Sequence, residues 1–151
     1  MAIRLEEEFK ELLRSLNSNG VRYLLIGGYA VVLNGYVRNT TDLDIAVSDD
    51  LENAKKLVKA LKDFGFDVPG LDESLFTKPN SLVRMGFEPL KVEILNYLKG
   101  VGFENAYRNR QVIVLEGLEI SLISIHDLIA NKRAVGRHLD LADAEELERR
   151  L

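Results

Sequence analysis

Asp42 and Asp44 stand two residues apart in "TDLDIAV", and Glu93 lies between valine and isoleucine in "LKVEIL". Residues i and i+2 of a strand point the same way, so Asp42, Asp44 and Ala46 share one face while Leu43, Ile45 and Val47 take the other. The same alternation sends Val92 and Ile94 inward and Glu93 to the opposite side. If the two segments are neighbouring strands in register, three carboxylates converge on one small area. Two like charges about 4 Å apart repel by roughly 4 kcal/mol at an effective dielectric near 20. Such a cluster takes up protons, spreads apart or holds cations. Oxygen-only ligands favour a hard ion, and Mg²⁺ is the one that most economically also binds phosphate. A D-x-D alone is weak evidence, because polar residues on the solvent side of a half-buried strand need no function. Its weight comes from what precedes it.

Upstream, "VRYLLIGG" reads as a short buried strand closed by Gly27 and Gly28. Glycines let the backbone approach an anion closely, and free N–H groups at a helix start favour phosphate. The alternative is steric: two glycines simply make a tight strand-to-helix turn. "YAVVLNG" fits a short helix ended by Gly35, although its valines also suit a strand. A phosphate-cradling turn, a carboxylate strand and a third carboxylate together describe an apparatus that grips a triphosphate and directs a nucleophile at phosphorus.

The remaining elements must position these groups. Leu5, Phe9, Leu12, Leu13 and Leu16 recur at helical spacing before "NSNG" stops the pattern. "SDDLENAKKLVKALKDFG" is the clearest helix, with Ser48, Asp49 and Asp50 as caps and Leu51, Ala54, Leu57, Val58, Leu61 and Phe64 as the buried stripe. A loop with Pro69, Gly70 and Pro79 follows and reads as mobile. "SLVRMGFEPLKVEILNYL" gives two strands joined through "FEPL", and "QVIVLEGLEISLIS" a hairpin turning at Glu116-Gly117. Ser124, with Asp127 three residues on, caps a helix over Ile125 to Val135. A second helix runs from Leu139 to Leu151, the break falling near Gly136.

Strands mixed with hairpins and helices predict an α+β (mixed α/β) fold, a mixed or antiparallel sheet flanked by helices, rather than a doubly wound parallel one. At 151 residues, 46% of them apolar and 29% charged, the chain reads as one domain over residues 1–151. The absence of cysteine excludes disulfides, zinc-thiolate sites and thiol nucleophiles. A net charge of −4 argues against a broad basic nucleic-acid face but leaves room for a local basic cleft. No apolar run reaches the roughly 20 residues that span a bilayer, and the acidic, amphipathic start is unlike a signal peptide. A cytoplasmic protein without membrane attachment is the expectation. His126 and His138, twelve apart with no cysteine or third histidine, are poor zinc candidates. Ser121 and Ser124 have no evident His–Asp partners for hydrolase chemistry.

"LLIGGYAVVLNGYVRNTTDLDIAV" followed by "LKVEIL" resembles the nucleotidyltransferases of the DNA polymerase β superfamily. Gly27, Gly28, Ala30, Gly35, Arg38, Thr40, Asp42 and Asp44 match the form GG-x-A…G-x-x-R-x-T-x-D-h-D. That form is shared by small stand-alone members and by nucleotidyltransferase-type toxins of abortive-infection systems. "LIANKRAVGRHLDLAD" follows their later "K…R…D" helix.

The resemblance implies that Asp42 and Asp44 ligate two Mg²⁺ with Glu93 as third carboxylate and base. It implies nucleotide binding by Gly27, Gly28, Arg38, Thr40, Lys132 and Arg137. An NTP such as ATP would then donate NMP to a protein or tRNA acceptor with loss of pyrophosphate. Arg38 would neutralise phosphate charge or, as a surface arginine, pair with Asp42 or Asp49; Lys132 and Arg137 would reach phosphate or form a solvated basic face. Many relatives carry serine where Gly28 stands, so the grip on phosphate is expected from backbone N–H groups alone. The larger toxins have a further helical region for the acceptor, so a cognate partner protein or a homodimer is expected to complete the site. The rival expectation is a non-catalytic NTP–Mg²⁺-binding module in a toxin–antitoxin or regulatory pair.

Overall fold

The computed structural model describes residues 5–87 and 90–151. The Glu88-Pro89 connection within "FEPL" and the first four residues lie outside them. Among the described residues the chain order is α1 (Glu7–Ser18), β1 (Tyr23–Ile26), α2 (Gly27–Leu33), β2 (Leu43–Val47), α3 (Leu51–Phe64), α4 (Ser74–Thr77), β3 (Leu82–Phe87), β4 (Leu90–Leu95), α5 (Phe103–Arg108), β5 (Gln111–Leu115), β6 (Leu118–Leu122), α6 (Ile125–Val135) and α7 (His138–Glu148). The strands form one six-stranded mixed sheet in the order β3-β4-β2-β1-β6-β5, so the expected α+β class holds. β2 pairs antiparallel with β1 and parallel with β4, and β1 pairs parallel with β6.

β1 and β2 occupy the centre because both are almost wholly apolar. Tyr23 to Ile26 are all buried, and Leu43, Ile45, Ala46 and Val47 are fully enclosed. Ala46 lies on the face expected to be polar; packing covers both faces of β2, which leaves Asp44 as its one partly buried residue. α1 lays Phe9, Leu12, Leu13 and Leu16 into the core and ties itself to α3 through Ser15 Oγ, which donates to Ala60 O at 2.7 Å. In α3 the stripe narrows to Ala54, Leu57, Val58 and Leu61. Leu51 is 56% exposed in the first turn, where the Asp50 side chain accepts from Asn53 N. Asn53 is buried and donates to Arg22 O and Ser48 O, which locks the helix start to the end of β2. The loop expected to be mobile contains α4 and buries Leu71 and Phe76. Asn96 anchors it, donating to Phe76 O and Lys78 O. The hairpin turns at Glu116 and Gly117, both at positive φ as a two-residue loop demands. No helix among the described residues is long and apolar enough to cross a membrane.

Candidate active site

Parallel pairing sets Asp44 directly opposite Glu93, and antiparallel pairing sets it opposite Ile26, the last residue before the glycine turn. The register anticipated for the two acidic strands is the register found. Asp42 differs from expectation: β2 begins at Leu43, and Asp42 occupies the bend before it, where Thr41 Oγ1 donates to it at 3.3 Å. Glu93 Oε1 accepts from Arg84 Nε at 2.7 Å, across the β3–β4 pair. Asp44 and Glu93 line a cavity of about 430 Å³ with Gly27, Tyr97, Lys132 and Arg137. Asp42 lines an adjoining hollow that shares Arg84 and Glu93 as its partition.

Asp44 is the most perturbed acid of the group. Burial, then the charges of Glu93 and Asp42, push its carboxyl up to about 7, against the opposing pull of Lys132 and Arg137. Its Oδ1 is sealed from solvent and receives no hydrogen bond. A buried carboxylate oxygen without a donor calls for a proton or a cation, and the all-oxygen donor set here is of the kind a hard divalent ion takes. Among the described residues, however, no group of three His, Cys, Asp or Glu side chains is gathered closely enough to enclose an ion. Glu93 is paired instead with Arg84.

Two glycines shape the turn for different reasons. Gly27 adopts φ +68°, and a Cβ there would collide with Asp44 Oδ2 and stand 2.8 Å from Asp44 Cγ. Gly28 is outside the left-handed region, so its backbone would accept a side chain. What forbids one is Thr40: a Cβ on Gly28 would overlap Thr40 Oγ1 and stand 2.8 Å from Thr40 Cβ, with Arg38 Nη1 at 3.5 Å. Tyr29 is buried and packs edge-on against Phe9.

Arg38, Lys132 and Arg137 are each tied to one or both of two buried aspartates on α7. Arg38 pairs with neither Asp42 nor Asp49; its Nε and Nη2 donate to Asp143 Oδ1 and Oδ2, both at 2.8 Å. Lys132 is buried, with Nζ 3.3 Å from both Asp140 Oδ1 and Asp143 Oδ2, so the expected solvated basic face does not include it. Arg137 keeps a largely exposed side chain while its Nε donates to Asp140 at 2.6 Å. Burial pushes the Asp140 carboxyl up, but the Arg137 hydrogen bond and the Lys132 charge outweigh it and hold the group below the ordinary range. Both aspartates are almost fully enclosed on α7, whereas Leu139 and Leu141 are exposed. Sequence reasoning did not single out Arg84, Tyr97 or Lys99, although all three line the Asp44 cavity. Among the five tyrosines Tyr97 is the one placed there. Tyr23 is core, its hydroxyl pushed up to about 12 by burial, and Tyr107 lies between Arg22 and Arg110.

A carboxylate strand beside a glycine turn, in a mixed sheet of this order, defines the nucleotidyltransferase fold. The lincosamide antibiotic adenylyltransferase LnuA, solved with lincomycin bound, superposes with TM-score 0.59 at 17% identity over 95% of this chain and 96% of its own. TM1012 from Thermotoga maritima, described as a nucleotidyltransferase, gives 0.58 at 14% identity over 93% and 86%. The antibiotic-resistance factor ANT(2'')-Ia gives 0.56 at 10% identity over 93% and 80%. No curated protein matches the sequence. The chain belongs to the family described as "Nucleotidyltransferase of unknown function (DUF6036)", which it matches over residues 2–148.

Proposed function

We propose that this nucleotidyltransferase moves a nucleoside monophosphate from an NTP to a hydroxyl of a protein or RNA acceptor, with Asp42, Asp44 and Glu93 holding Mg²⁺. The observation that carries the reading is Asp44, a buried carboxylate with an orphaned oxygen, in register with Glu93 and against the Gly27 turn. Bound Mg²⁺ supplies the charge that screens the triphosphate and acidifies the acceptor hydroxyl. The residues supply position. Gly27 and Gly28 let Asp44 and Thr40 pack directly on the turn backbone, with Arg38 beside them, and Lys132 and Arg137 set positive charge along the cavity wall. The acceptor oxygen bonds to the α-phosphorus as the bond to pyrophosphate breaks, and the acceptor proton passes to Glu93.

The test is incubation with each α-labelled NTP and Mg²⁺, offering the protein itself, lysate protein, tRNA and lincomycin as acceptors. The last is included because LnuA is a lincosamide adenylyltransferase of matching length. Label transfer that disappears in Asp44→Ala supports the reading. NTP-dependent stabilisation with no transfer to any acceptor instead supports a binding module acting as a toxin–antitoxin or regulatory partner.

A further inference from the structure

We propose that the outer edge of β5 pairs with β5 of a second copy of this chain, antiparallel about a two-fold axis at Ile113, so that the two sheets become one. Among the described residues β5 is an end strand, paired with β6. Leu115 and Leu118 close the two-residue loop as a pair that exchanges backbone bonds, so Leu115, Ile113 and Gln111 turn their N–H and C=O groups toward β6. Val112 and Val114 turn theirs outward, where among the described residues no backbone group meets them. Their side chains are 55% and 67% exposed, on a strand without proline, charge or bulge. Edges that stay single are blunted by such devices. β3, at the other end of the sheet, carries the exposed charge of Arg84 and, at Gly86, a φ of +83° that interrupts its extended backbone.

The charges along β5 identify the occupant. Arg108 and Arg110 precede the strand, and Glu116 and Glu119 follow it. An antiparallel copy brings the basic end of one strand against the acidic end of the other, as a self-complementary two-fold contact requires. With Ile113 opposite itself, Val112 faces Val114 of the second copy, and Arg110 faces its Glu116. The valine pairs are the ones whose backbone groups point outward, so both pairs exchange N–H···O=C bonds while their side chains cover one another. The flanking charges are already anchored in place. Arg110 lies over the Tyr107 ring and donates to Tyr107 O, and Glu116 accepts from Lys10. A parallel copy would instead set arginine against arginine. Five residues a side bury less than the roughly 1,200 Å² of a standard interface, so the dimer is expected to exchange with monomer at micromolar concentration. β1 and β6 lie between β5 and Asp44 on β2, so each cavity stays within its own chain. The association therefore stands or falls apart from the transfer reaction.

Sedimentation equilibrium of the full chain from roughly 1 to 300 µM is expected to show monomer passing to dimer. Val112→Lys with Val114→Lys sets like charges opposite one another in both pairs, and is expected to weaken association at least about tenfold. Val112→Lys with Val114→Glu sets lysine against glutamate in both, and is expected to associate within about fivefold of wild type. Both positions are exposed, and thermal unfolding of each variant confirms that the fold is kept. The chain has no cysteine, so Ile113→Cys places a single thiol on the axis. Facing residues of a pair that exchanges no backbone bonds stand about 4.5 Å apart, within disulfide reach, so mild oxidation is expected to yield a covalent dimer. Val112→Cys, off the axis, is expected to cross-link far more slowly. A chain that stays monomeric throughout the range overturns the proposal. So does a dimer indifferent to the two lysines, a lysine–glutamate variant that associates no better than the two-lysine one, or cross-linking no faster at 113 than at 112.

Discussion

A carboxylate with one oxygen sealed from solvent and no donor aimed at it is stable in the fold only while protonated or screened. Asp44 titrates near 7 in the folded chain against 3.8 in its ordinary range. Its folded value is the higher, so its stabilising contribution is complete below pH 3.8 and is lost as pH climbs through about 7. The loss amounts to at most about 4 kcal/mol. Asp44→Asn should remove that slope, making the variant more stable than wild type at pH 8 and nearly equal to it at pH 4. Urea unfolding of both proteins across this range decides the matter, and parallel curves would refute it. Gly27→Ala should destabilise by about 2 kcal/mol or more, since φ +68° and Asp44 both oppose a methyl group there. Strand alternation allowed Asp44 and Glu93 to be read as converging if their strands were neighbours in register, and the β2–β4 pairing supplies that condition. The contact between Thr40 and Gly28 was not legible in the sequence, since loop-to-turn proximity leaves no periodic trace. Nor was the pairing of Arg38 with Asp143, partners 105 residues apart.

Helix α7 mixes the usual pattern, burying Asp140 and Asp143 beside Ala144 and Leu147 while Leu139 and Leu141 lie outside. Period and capping chemistry located α6, α7, α3 and the β5–β6 hairpin to within a few residues, since each carries its own signal. The short α4 and α5 were missed, having only four and six residues over which a period could show. Which face of α7 is buried could not be read from hydropathy, because the helix packs through ion pairs to Arg38 and Lys132. Removing one partner of such a network strands the others without solvent, so Asp143→Ala should cost roughly 3–5 kcal/mol of stability. Leu141→Glu, on the exposed side, should change stability by less than about 0.5 kcal/mol. Chemical denaturation of the two variants tests this element's orientation directly, and equal losses would contradict it.

At the scale of the whole molecule, the site lies where β1, β2, β4 and the α6–α7 pair meet, so a ligand bound there draws on most of the fold. Nucleotide with Mg²⁺, at a hundred times its dissociation constant, should add roughly 2.7 kcal/mol to stability. Chelation by EDTA should abolish that gain, and the melting temperature reports both. The parallel pairing of β2 with β4 has a kinetic corollary. The Asp44–Glu93 pairing is non-local, spanning α3, α4 and β3, and non-local pairings are the contacts that tend to slow folding. If that pairing forms after the folding barrier, the electrostatic conflict between the two acids belongs to the native side of it. A divalent cation that relieves it should prolong the lifetime of the folded state without hastening its formation, slowing unfolding in stopped-flow traces while the refolding limb stays where it was.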